Sequence, residues 1–323
     1  MSAMQPAKPL DPQLDATVEA SGHVDLTAEN PAAQNLAAEK LAAEKLAARP
    51  GPTTRSDQVS RTDVVVPGDP DVRLRVHRAV DSADDNLSPC LFSMHAGGYV
   101  VGDTAMDDLL FDQWCPRFGL VGVSVEYRLA PAHPYPGPIT DCYTGLTWVH
   151  EHAGELGIDR SRIGLHGVGA GGGLAAALAL VARDHRDIPL AFQLLDSPML
   201  DDRQQTFSRR LDGLAIGSAK SAEFGWRAYL GDRYGGPQVP IYAAAGRCSD
   251  LRGLPPSFVS VGSLDGLHDE AVDYAVRLNQ AGVPTELHVY PGAPHGYQLA
   301  AGSDVARQSA RDRAAWLGRQ INR

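Results

Sequence analysis

The sequence predicts an α/β fold, a mostly parallel sheet with helices on both faces. Short apolar runs alternate with helix-length segments from Thr62 onward. The stretch from Arg162 to Val181 reads as strand, tight glycine turn and helix, the unit from which such sheets are built. The chain has 323 residues, 43% hydrophobic and 21% charged, enough for a substantial core of one large or two smaller domains.

Residues 1–60 stand apart as an N-terminal helical cap segment. The repeated LAAEK is rich in helix formers and is stopped by Pro50, Gly51 and Pro52. A five-residue spacing does not hold leucines on one face, so the segment reads as an exposed helix over the main body rather than a coiled coil. The core is assigned to 61–199 and 236–323. Thr62–Val66 and Val72–His77 form a strand pair turned by PGDPD. Cys90–Met94 is a strand running into HAGGYVVG, followed by a helix near Met106–Trp114. Then come the strand Leu120–Val125, a helix near Ile139–His152, the strand Arg162–His166, the helix Gly171–Arg183 and the buried strand Leu190–Leu195. Residues 200–235 break the alternation with charged, helix-like sequence and read as a cap insertion. SFVSVG at 257–262 resumes it, and a helix near Glu270–Ala281, the strand Thr285–Tyr290, the loop PGAPHG and a last helix complete the chain.

A formal net charge of −10 with no basic block argues against a nucleic-acid partner. The longest apolar run, Leu174 to Ala182, is too short to span a bilayer, and the first residues lack the apolar region of a secretory signal. Cys90, Cys115, Cys142 and Cys248 have no paired spacing, so neither a zinc site nor a disulfide framework is expected. The expectation is a cytoplasmic protein without metal or cofactor and without membrane contact; a homodimer stays open.

The glycine turn has two readings. Gly167, Gly169 and Gly172 satisfy the dinucleotide fingerprint G-x-G-x-x-G, with Asp196 placed to bind a ribose. A hydroxymethyl group on residue 169 would instead make it G-x-S-x-G, a nucleophile elbow. The remaining loops arbitrate. His95-Ala-Gly-Gly98 follows a strand and presents backbone N–H groups, the requirement of an oxyanion hole. Asp265 and then His295 follow successive strands, matching the order nucleophile, acid, base.

HAGGYVVG, YRLAPAHPYPGP (127–138), GVGAGGGLAAALAL, PMLDDR (198–203), GSLDGLHDE (262–270) and YPGAPHGY (290–297) together resemble the hormone-sensitive-lipase-like family of α/β-hydrolases, bacterial carboxylesterases among them. The resemblance runs from about residue 60 to the C-terminus. It implies an eight-stranded α/β-hydrolase sheet, a cap built from the N-terminus and 200–235, and cofactor-free esterase chemistry on a small acyl or carbonyl substrate. It implies that Gly97, Gly98 and Ala170 supply the oxyanion N–H groups, that His295 is the general base, and that Asp265 orients it. His95, Tyr99 and His166 become candidates for the substrate pocket, although His166 reads first as a packed or lid-facing histidine.

Three positions depart from the family pattern. Gly169 stands where the nucleophilic serine belongs, Ala96 replaces a further glycine, and Ala132 replaces a glutamate. Glycine cannot attack a carbonyl. Three functions follow: an ester hydrolase whose nucleophile has been removed by engineering or natural loss, an enzyme rebuilt as a lyase, dehydratase, cyclase or direct-water hydrolase on His295 and Asp265, or a small-molecule binding protein. The retained Asp265 and His295 count against the last.

Overall fold

The computed structural model describes residues 10–14, 55–81, 86–211 and 219–322. The LAAEK helix expected near the N-terminus lies outside the described residues.

Strands β1 (Val59–Val66) and β2 (Val72–Ala79) form an antiparallel hairpin, Val66 opposite Val72. β1 thus starts inside the stretch assigned to the N-terminal segment. β3 (Ser88–Met94) leads to the 95–102 loop and a short turn capped by Asp103, whose carboxylate accepts the Ala105 N–H at 2.8 Å. Helix α1 (Asp108–Phe118) runs four residues beyond the predicted Trp114, through Pro116, and ends at Gly119 in the left-handed region, φ 60°. β4 (Val121–Glu126), α2 (Gly137–Glu151) and β5 (Ile158–Val168) follow, β5 starting four residues before the predicted Arg162. Then come α3 (Ala170–His185), β6 (Phe192–Asp196), α4 (Ala219–Leu230), β7 (Ser257–Gly262), α5 (His268–Gln280), β8 (Thr285–Tyr290) and α6 (Asp304–Ile321).

These strands make one eight-stranded sheet in the order β1-β2-β4-β3-β5-β6-β7-β8. Only the β1–β2 and β2–β4 pairings are antiparallel. The α/β architecture predicted from sequence is the one observed. β3, β6 and β7 are buried on both faces, which is why they read as near-continuous apolar runs. Successive residues feed opposite layers. Phe92, Leu165, Leu195 and Val259 join the core beneath α2, α3 and α5. Leu91, Phe192, Leu194 and Phe258 pack instead against Phe111 and Trp114 of α1 and Trp316 and Leu317 of α6. Because β3 and β5 to β8 are parallel, the loops leaving their C-terminal ends share one edge, where open α/β sheets gather ligands. Among the described residues, no helix is long and apolar enough to cross a membrane.

Candidate active site

The turn between β5 and α3 is a strained elbow. Gly169 sits at φ 56°, ψ −117°, a region that side chains rarely adopt. Its N–H donates to Asp196 O at 2.9 Å, and its carbonyl accepts from Gly173 and Met199 N–H at 3.0 and 2.9 Å. The turn therefore keeps the elbow geometry although the residue bears no side chain.

The 95–102 loop lies beside it. Gly97 has φ 121°, and a Cβ there would collide with the Val101 carbonyl, so only glycine fits. The Gly97 carbonyl accepts the Val100 and Val101 N–H groups at 2.9 and 3.0 Å, which turns the loop back on itself. His95 and Tyr99, two of the pocket candidates, point inward. The His95 ring is buried, stacked 4.1 Å from Tyr127, and its Nδ1–H donates to Ala96 O at 2.7 Å. The Tyr127 hydroxyl in turn donates to His95 O at 2.9 Å. Tyr99 is buried and stacked 4.2 Å from Tyr229 of α4, with Trp226 at 5.2 Å. These contacts hold the loop in place. α4 meets the same loop at a second point: a Cβ on Gly225 would collide with Gly98 O.

Asp265 and His295, far apart in sequence, are brought together. His295 Nδ1–H donates to Asp265 Oδ2 at 2.8 Å, and Asp265 Oδ1 accepts the Leu267 N–H at 2.9 Å. Burial pushes the Asp265 carboxyl up, but the facing His295 and the Leu267 N–H outweigh it and hold the group below its ordinary range. The His295 side chain keeps 14% of its surface exposed while Asp265 is sealed. A Cβ built on Gly169 would stand 3.6 Å from His295 Nε2. One more bond would put a hydroxyl within hydrogen-bond reach of that nitrogen.

The third pocket candidate lies elsewhere. His166 points to the α1 and α6 side of the sheet, sharing a 2.9 Å hydrogen bond with Ser93 Oγ and meeting Trp114 edge-on. Its Nε2 is 3.7 Å from Asp196 Oδ2. Asp196 is fully buried, bonded to Ser260 and, at 2.6 Å, to Arg313. That carboxylate is consumed inside the sheet and cannot serve a ribose, which removes the dinucleotide reading of the glycine turn. Among the described residues, no group of three or more His, Cys, Asp or Glu could hold a metal ion.

Sequence reasoning missed Tyr127, Trp226, Tyr229 and Gly225. Tyr127 opens the YRLAPAHP motif and could have been found there. The α4 residues carry no local signal, since their role depends on where the insertion lands.

A model of the family described as alpha/beta hydrolase fold matches residues 91–299. The chain belongs to this family. It is 35% identical to the esterase LipI of Mycobacterium tuberculosis over 242 residues, 74% of this chain and 75% of the relative. It is 38% identical to the carboxylesterase NlhH of the same organism over 216 residues, 66% of this chain and 67% of the relative. Among solved structures, a bacterial heroin esterase superposes with a TM-score of 0.89 at 38% identity, covering 97% of this chain and 98% of the other. These relatives are ester hydrolases by name, and the homology supports an enzyme of the ester-hydrolase type.

Proposed function

We propose that this chain hydrolyses small, apolar carboxylic esters with a water molecule in place of a serine hydroxyl, and so without an acyl-enzyme. The observation that carries this reading is the 3.6 Å from His295 Nε2 to the point where a Cβ on Gly169 would stand. The base faces the position that a side chain on residue 169 would take, and a water there would stand within reach of Nε2. The esterase relatives support the reaction class.

His295 Nε2 accepts a proton from the water as its oxygen adds to the ester carbonyl carbon. The carbonyl electron pair moves onto oxygen, which takes hydrogen bonds from the backbone N–H groups of Gly97, Gly98 and Ala170. Collapse of that adduct expels the alkoxide, which recovers the proton from His295. Acid and alcohol leave. Asp265 fixes the tautomer that presents the Nε2 lone pair and stabilises the transient imidazolium. Residues 200–211 and 219–235 are the described part of the cap of this site.

Turnover should be slow, because losing a triad nucleophile costs roughly 10⁶ in the protease case while the rest of such a site retains about 10³. The test is p-nitrophenyl acetate hydrolysis followed from the first turnover. The expected course is linear, without a burst, unaffected by a fluorophosphonate probe and lost in His295→Ala. A stoichiometric burst, probe labelling of Ser197 or Ser263, or full activity in His295→Ala would overturn the proposal.

A further inference from the structure

The loop that bears His295 is held from two sides, and one of them is a segment almost 300 residues away. Residues 291–303 join β8 to α6, a long connection. On its inner side, Gly292 N–H donates to Ser263 Oγ and Ala293 O accepts the Leu264 N–H, both at 2.9 Å. These bonds tie it to the loop of Asp265. Its outer side is covered by residues 10–14. Asp11 N–H donates to Gly292 O at 3.1 Å. The Gln13 amide makes a reciprocal pair with Asp304 at the start of α6: its Nε2 donates to Asp304 Oδ2 at 3.0 Å, and its Oε1 accepts the Asp304 N–H at 2.7 Å. That backbone N–H belongs to the first turn of a helix and has no partner within it. Leu14, only 1% exposed, closes a separate apolar cluster with Tyr290, Ala293, Tyr297, Ala300 and Val305. Ala293 and Tyr297 each lie two residues from His295.

We propose that residues 10–14 are an anchor that positions His295 against Asp265 and the elbow, with Leu14 as the positioning residue. The anchor touches no substrate. It removes loop conformations in which the imidazole would drift from Gly169, and a base misplaced by about 1 Å loses much of its advantage. The inference rests on His295 being the base.

The test uses the full chain with Leu14→Ala, the volume-conserving Leu14→Met, and Gln13→Glu, which sets a second carboxylate against Asp304 on the exposed surface and leaves the core intact. Hydrogen exchange is measured over 290–300 and, as an internal reference, over 164–175. The downfield Nδ1–H proton of His295 is followed by NMR. In Leu14→Ala, exchange in 290–300 should rise about tenfold with 164–175 unchanged, and the Nδ1–H signal should broaden. Ester turnover should fall several-fold at constant KM. Leu14→Met should restore all three, and Gln13→Glu should show the same pattern more weakly. Unchanged exchange in 290–300, or equal acceleration in both segments, would overturn the proposal. So would a loosened loop with a sharp Nδ1–H signal. If the parent chain turns over no ester, the function proposed above fails, and exchange and the Nδ1–H signal still decide whether the anchor holds His295.

Discussion

Two histidine–aspartate pairs flank the elbow, built from the same residue types and set to different ends. His295 and Asp265 sit in loops beyond the sheet edge, with a direct 2.8 Å bond and part of the imidazole open. His166 and Asp196 sit inside the sheet on neighbouring strands, 3.7 Å apart and sealed from solvent. Both carboxylates are held below their ordinary range against the upward push of burial, but the opposing groups differ. For Asp265 the main one is His295; for Asp196 it is the Arg313 guanidinium, which brings that carboxyl to about 2. A permanent cation holds the inner carboxylate ionised. The outer pair is balanced by a group that itself exchanges protons. The outer arrangement can run acid–base chemistry, whereas the inner one ties β3, β5 and β6 to α6 beneath Gly169.

The comparison breaks most sharply in turnover. Asp265→Asn should lower ester hydrolysis by up to about 10³, the whole of the acceleration that a site without its nucleophile retains. Asp196→Asn should lower it far less at a temperature where the variant stays folded. Equal losses in kcat, measured with p-nitrophenyl acetate, would erase the distinction. Gly169→Ser should act in the opposite direction, raising turnover by up to about 10⁶ and gaining fluorophosphonate labelling, because the new hydroxyl would lie beside His295. A folded but inert serine variant would show that the outer site has been rebuilt for other chemistry.

Stability should rank the pairs the other way. Arg313→Met leaves a buried carboxylate unpaired and should cost about 3–5 kcal/mol in urea unfolding. Asp265→Asn keeps shape and hydrogen-bonding capacity and should cost under about 1.5 kcal/mol. The reverse order would mean that the loop pair carries the fold.

Acid sharpens the contrast. The Asp196 carboxyl is depressed in the folded state, from 3.8 to about 2, so the stability it contributes is present above about pH 4 and is lost as pH falls through about 2. The shift corresponds to about 2 kcal/mol. Unfolding free energy measured between pH 5 and 2 should fall by that amount from this group, and Asp196→Asn should flatten that part of the curve. The smallest effect is on melting. Gly169→Ser places a side chain at φ 56°, a strain of about 1–3 kcal/mol, and should lower Tm by a few degrees even as it raises activity.

Much of this was legible from sequence, because it depends on local pattern. Continuous apolar runs such as FQLLD and SFVSVG mark strands covered on both faces, and glycine clusters after strands mark the elbow and the 95–102 loop. The structure then buries all three pocket candidates, His166 in the packed role that reads first from the sequence. His95 and Tyr99 face inward because Tyr127 and Tyr229 offer their rings stacking partners there. His166 turns away from the elbow because side chains alternate across a strand, and residue 166 falls on the α1 and α6 side. A one-residue parity decides this, and no motif states which parity faces which layer.

The sequence by itself determined the alternation of strands and helices, the order of the glycine turn, Asp265 and His295, and the absence of a side chain at 169. These are properties of the chain read along its length. Only the tertiary structure decided that His295 Nε2 faces the empty direction at Gly169, that Asp196 is spent on Arg313, that α4 rests on Gly98 through Gly225, and that Leu14 backs the His295 loop. Each joins residues from 117 to almost 300 positions apart, Asp196 to Arg313 at the near end and Leu14 to its cluster at the far end. Such pairings depend on how the packed layers bring distant loops to one sheet edge, which local propensity does not encode.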